Sequence, residues 1–157
     1  MLELTFSGDL LSRKSQQALE AEFASLCAQT RFVFCGLAAL STMLFGKKLV
    51  VTSMVRPQGT HASKRMLDFD VDERRQHCGL SPEEAQVLSD VAAVTLAYDA
   101  SRPHYPVAVY GKNDSAGRHW DHVHLQTCYG GKTKFRVLSM SARWEANIKA
   151  VFGSNTL

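Results

Sequence analysis

Apolar residues recur every three or four positions through Ala18, Leu19, Phe23, Ala24 and Leu26, with Glu20 and Glu22 on the opposite side. That period predicts an amphipathic helix, and Ser12 or Ser15 is placed to cap its start. A more apolar stretch follows from Phe32 to Phe45; Ala38-Ala39-Leu40 favour a helix and Gly46 supplies a stop. The pattern then changes. Residues 48–55 are rich in β-branched side chains and predict a strand that Pro57 and Gly59 end. Residues 60–66 read as a loop. Leu67-Asp-Phe-Asp-Val71 alternates, which sets Asp68 and Asp70 on one face of a short strand and Leu67, Phe69 and Val71 on the other. Ser81-Pro82-Glu83-Glu84 has the form of a capping box with proline in the first turn, and predicts a helix running to about Tyr98. A loop over 99–105, a strand over 106–110, a polar hairpin or loop over 111–117, and a strand from His119 to Thr127 complete the centre of the chain. Gly130-Gly131 predicts a turn into a strand over 134–139, and 141–152 a short closing helix. The order α, α, β, β, α, β, β, β, α predicts an α+β fold with a small, mostly antiparallel sheet packed with helices.

Composition narrows the class. The 157 residues predict a single domain over 1–157, and 45% hydrophobic with 21% charged residues is enough for a core that needs no disulfide scaffold. The net charge of +3 is small and scattered, so no nucleic-acid partner is expected. Cys27, Cys35, Cys78 and Cys128 form no CxxC pair, which argues against a structural zinc knuckle and suits thiols in a reducing compartment. The opening residues carry Glu3 and Asp9 with no basic segment before an apolar run, so no signal peptide is expected. Phe32–Phe45 is shorter than the ~20 residues of a spanning helix, and no stable membrane insertion is expected.

Histidine placement carries the chemistry. The six are His61, His77, His104, His119, His122 and His124, three of them inside His119-Trp-Asp-His-Val-His124. On a strand His122 and His124 share a face. Two imidazoles beside an aspartate are costly to bury unless hydrogen bonds or a metal satisfy them; solvated strand histidines are the plainer alternative. His61 and Asp68, six residues apart across a loop, bring an upstream half to such a site. Two imidazoles and one carboxylate would leave a fourth zinc position for water, the catalytic arrangement, in which the metal acidifies water and polarises a carbonyl. Other His-x-His chemistries fit less well. Leu125-Gln126 stand where a metallo-β-lactamase-like site needs Asp-His, no histidine follows His124 for an oxygenase triad, and no Asp follows Asp121 for a deubiquitinase-like site.

The segments Ser53-Met-Val-Arg56, His61-x6-Asp68, the Ser81-capped helix and Asp121-His-Val-His124 resemble, in that order, the zinc peptidases of the Hedgehog/D-Ala-D-Ala peptidase fold. That group includes D,D-carboxypeptidases, phage L-alanyl-D-glutamate endopeptidases and penicillin-insensitive murein endopeptidases. The resemblance spans about residues 48–127. It implies His61, Asp68 and His124 as zinc ligands. The triple His119, His122, His124 looks most like the murein endopeptidase branch, which implies His122 in the active site; Asp121 stands where the carboxypeptidase branch has its catalytic glutamate. Arg56 is then expected to hold a substrate carboxylate or the developing oxyanion. Two positions depart from the family pattern: Lys64 where glycine is usual, and Met66 where a small residue is usual.

Taken together these imply a hydrolase, a zinc metallopeptidase that cuts peptide bonds in bacterial peptidoglycan stem peptides. The missing signal peptide and missing wall-binding module suggest a phage product for cell wall degradation, either an endolysin held in the cytoplasm until release to the wall or a virion-associated lysin. The competing expectation, which Lys64 and Met66 favour, is a non-catalytic phage structural or binding protein on the same fold with a degenerate or structural metal site. Asp70 is a candidate for orienting a ligand, His77 and His104 read as surface residues, and Trp120 and Tyr110 as core packing or groove walls.

Overall fold

The computed structural model describes residues 4–58, 60–71 and 79–136. The expected closing helix over 141–152, most of the strand over 134–139, His77 and Cys78 lie outside the described residues.

The chain begins with a two-residue strand β1 (Thr5–Phe6) and a short helix α1 (Gly8–Arg13), neither of which the apolar pattern signals. Helix α2 (Gln16–Ser25) starts at Ser15, whose hydroxyl accepts from Ala18 N at 3.2 Å, and buries Leu19 and Phe23. Helix α3 (Ala28–Phe45) starts four residues earlier than its apolar run, and Gly46 ends it with φ 67°, the left-handed conformation glycine adopts at little cost. Its early polar residue Thr30 is buried because its hydroxyl lies 2.7 Å from that of Thr127. With 18 residues and mean hydropathy 1.3, α3 is long and apolar enough to cross a membrane. One of its faces, with Val33, Phe34, Leu37 and Ala38, is buried in the core. Helix α4 (Pro82–Thr95) carries the expected capping box of Ser81 and Glu84, and Lys47 binds Glu84 from across the core at 2.6 Å. It stops at Thr95 because Leu96–Ala97 leave it to form strand β4.

Strands β2 (Val50–Ser53), β3 (Met66–Asp70), β5 (Ala108–Val109) and β6 (His122–Gln126) join β1 in one sheet of order β1-β2-β3-β6-β5. The β1–β2 pair is parallel and the other three pairs are antiparallel. A separate ribbon pairs β4 with β7 (Lys134–Phe135). The fold is therefore α+β, with a small mixed sheet packed against helices.

Two details of this sheet position the site. Strands β3 and β6 pair in the register Asp68↔His124 and Asp70↔His122, so all four polar residues stand on one face. Leu67, Phe69, Val123 and Leu125 point the other way into a fully buried core, where Phe69 packs edge-on against Phe34 of α3. The second detail is a β-bulge in β2: Val51 pairs with Phe69 but Ser53 with Asp68. The extra residue re-aims the strand end and sets Ser53, and Arg56 behind it, beside Asp68.

Candidate metal centre

His61 enters the site from a 3-10 turn (Thr60–Ser63) between β2 and β3. Lys64 closes that turn with φ 57°, a left-handed conformation costing a non-glycine residue roughly 1 kcal/mol. Its carbonyl accepts from Cys27 N at 2.8 Å, and its own N–H donates to His61 O at 3.2 Å. Lysine thus takes here the backbone shape for which glycine is suited. Met66, the other departure, is buried at the start of β3 on the Asp68 side.

His61, Asp68 and His124 converge, each less than a tenth exposed, with one donor atom apiece within 4.8 Å of the others. His61 Nδ1 lies 2.6 Å from the carbonyl of Met54. A carbonyl only accepts, so Nδ1 carries the proton, and in its neutral form His61 turns the Nε2 lone pair inward. That lone pair faces Asp68 Oδ2 at 3.4 Å, while His124 Nδ1 lies 2.7 Å from Asp68 Oδ1. Two acceptors facing each other repel unless a proton or a cation lies between them, so this donor set fits a metal ion. Burial pushes the Asp68 carboxyl up, but the hydrogen bond and charge of His124, joined by those of His61 when a proton occupies its Nε2, outweigh it and hold it well below the usual carboxylate range. The buried trio can hold a metal.

Arg56 reaches over this centre. Its Nε donates to Ser53 Oγ at 2.8 Å and its Nη2 to Asp68 Oδ2 at 3.2 Å, while more than half of its side chain remains exposed. Alternation along one strand would set Asp121 opposite His122 unless the strand end turned it inward, and the strand begins only at His122. Free of the pleat, Asp121 turns back, and its Oδ1 lies 2.6 Å from His122 Nδ1. In the neutral ring that contact leaves Nε2 as the nitrogen able to accept a proton. Asp70 is buried on the same face.

The sequence reading missed one pair, Asp114 and His119. Asp114 accepts from the backbone N–H groups of Ala116, Arg118 and His119, and lies 3.0 Å from His119 Nδ1. Burial pushes this carboxyl up; those donors prevail and bring it to about 2. The His119 ring stacks on His124 with centroids 5.1 Å apart, and meets His122 edge-on at the same distance. The signal was an aspartate followed by the small residues Ser115, Ala116 and Gly117, then Arg118 and the histidine, an Asx-turn pattern.

All of this opens on a cleft of about 1060 Å³. The trio, Arg56, His119 and His122 line one part of it, and the loops carrying Arg102 with His104 and Asp114 with Arg118 line other parts. The first of these loops is fixed by Asp99, which accepts from Ser101 and doubly from the Arg102 guanidinium. Trp120 is exposed and Tyr110 is core. Comparison with family models, with curated proteins and with solved structures finds no match for the chain.

Proposed function

We propose that the chain is a zinc-dependent peptidase that hydrolyses peptide bonds in the stem peptides or cross-bridges of bacterial peptidoglycan, on a Hedgehog/D-Ala-D-Ala peptidase-like fold. The observation that carries this reading is the buried convergence of His61, Asp68 and His124 donor atoms, with His61 Nδ1 held on the Met54 carbonyl, at the floor of an open cleft. Two imidazoles and one carboxylate suit zinc, and that set would leave a fourth position for water. When bound, zinc supplies a Lewis acid that acidifies water and polarises a carbonyl.

The remaining work falls to the chain's own groups. Asp121 keeps the proton on His122 Nδ1, so His122 Nε2 takes a proton from the attacking water and returns it to the leaving amine. As His122 gains that charge, the Asp121 carboxylate steadies it. Asp114 holds His119 in the same tautomer beside it, a second imidazole facing the developing charge. Among the described residues Arg56 spends only Nε and one Nη2 hydrogen, on Ser53 and Asp68, and with its other donors it holds a substrate carboxylate or the carbonyl oxygen.

A non-catalytic role on the same fold was the expectation that Lys64 and Met66 favoured. The left-handed Lys64 supports the catalytic reading instead, because the ligand loop turns at the position where glycine is usual. A phage origin, as an endolysin held in the cytoplasm until release or as a virion-associated lysin, belongs to this proposal. The test is mass spectrometry of muropeptides after incubating the protein with purified peptidoglycan, with and without a chelator. Chelator-sensitive release of new amino termini with an intact glycan is expected; cleaved glycan, or no cleavage with metal present, overturns the reading.

A further inference from the structure

The cleft continues past the metal centre to Gln126, two residues beyond His124 and on the same face of β6. Gln126 is 5% exposed. Its Nε2 donates to the carbonyl of Pro106 at 2.8 Å, and its backbone N–H to Val107 O at 2.8 Å, so both the strand and the amide are pinned. The other amide atom, Oε1, accepts nothing from the described residues. Met66 stands opposite it across the β3–β6 pair and has no donor to offer. The Oε1 atom is not among the polar atoms closed off from solvent, so an amide held fixed at its nitrogen presents an open acceptor to the cleft.

The two ends of the cleft also differ in kind. Arg56 lies on the β2 side of the trio and offers only donors. Gln126 lies on the β5 side, its nitrogen tied to Pro106 through one of two N–H groups, and it brings to the cleft an acceptor, which Arg56 lacks. An extended peptide has carbonyls and carboxylates that need donors, and N–H groups that need an acceptor. We infer that Gln126 is a specificity-determining residue whose Oε1 accepts one particular N–H of the bound peptide, and that it sets the direction in which the peptide lies across the metal centre, with its acceptor groups towards Arg56. This rests on reading the cleft as a peptide site.

The test uses the zinc-loaded full chain and the stem peptide L-Ala-γ-D-Glu-diaminopimelate-D-Ala, with a set of analogues in which each backbone N–H in turn is replaced by an ester oxygen. Affinity is read by titration calorimetry where the peptide survives, and as KM beside kcat where it is cleaved. One analogue should bind about tenfold more weakly to the native protein, the scale of one hydrogen bond. Gln126→Leu should bind the parent peptide about tenfold more weakly, and should no longer distinguish it from that analogue. Gln126→Met, of matching length, serves if the leucine variant does not fold. The inference is overturned if no analogue shows a loss, if the variants keep the native sensitivity, or if no peptide binds. Hydrolysis without a Gln126-dependent position would leave the peptidase standing and remove this inference; a Gln126-dependent position without hydrolysis would do the reverse.

Discussion

The two faces of the β3–β6 pair share one register and nearly the same burial, yet are held together by different physics. On the core face Leu67, Phe69, Val123 and Leu125 are fully excluded from water, and apolar burial with dispersion stabilises them. On the cleft face Asp68, Asp70 and His124 are almost as buried, but burial alone would destabilise them. They persist because each is satisfied by a partner, and the His61–Asp68 contact is satisfied only with a proton or cation between its two acceptors. The core face makes the fold and the cleft face draws on it, so substitutions on the two should separate stability from chemistry.

The largest effect expected on stability is on the core face. Phe69→Ala should cost about 3–5 kcal/mol, read by denaturant unfolding, and should leave little folded protein. A loss below about 1 kcal/mol would show that this face is not the main source of stability. On the cleft face, His122→Ala should keep its metal and its fold but lose on the order of 10²-fold or more in turnover. Asp121→Asn should cost about 10-fold to 100-fold through misorientation of His122. Full turnover in the His122 variant would take proton handling away from that residue. If Asp121→Asn falls as far as His122→Ala, the carboxylate itself handles the proton.

Much of the cleft face was legible because two short alternating segments carry it. Period two alone puts Asp68 with Asp70, and His122 with His124. The capping box at Ser81 was equally local. What escaped depends on distant backbone. The proton on His61 Nδ1 is set by the carbonyl of Met54, and the bulge in β2 that aims Arg56 is visible only in the register with β3. Alternation alone would put Asp121 opposite His122; that it sits at the strand end, where it can turn inward, is fixed by where pairing with β3 begins. Strand β1 is two residues of parallel pairing with β2, too short to leave a period. Helix α3 reaches back to polar Ala28–Arg31 because Thr30 finds Thr127 across the core, a tertiary contact that overrides a weak local preference.

Smaller effects sharpen the contrast at its edges. Asp114 is held at about 2 in the fold against about 3.9 for a free aspartate. A depressed carboxyl adds stability that is complete above the unfolded value and is lost as pH falls through the folded one. Native stability should therefore decline between about pH 5 and pH 2, and Asp114→Asn should show a shallower decline in thermal melts over that range. An unchanged acid limb would mean that Asp114 carries no such coupling. Lys64→Gly should be the mildest change, a gain of up to roughly 1 kcal/mol from relief of the left-handed backbone, offset in part by glycine's greater freedom when unfolded. A clear loss would show that the lysine side chain, and not the turn, holds the His61 loop.

The account stands most directly on whether the cleft face is completed by a metal. Protein purified without chelator and saturated with zinc should hold close to one equivalent by elemental analysis. The variant with alanine at His61, Asp68 and His124 should fold around the same apolar core and hold none. A triple variant that keeps its zinc, or a native chain that takes up none, would contradict it.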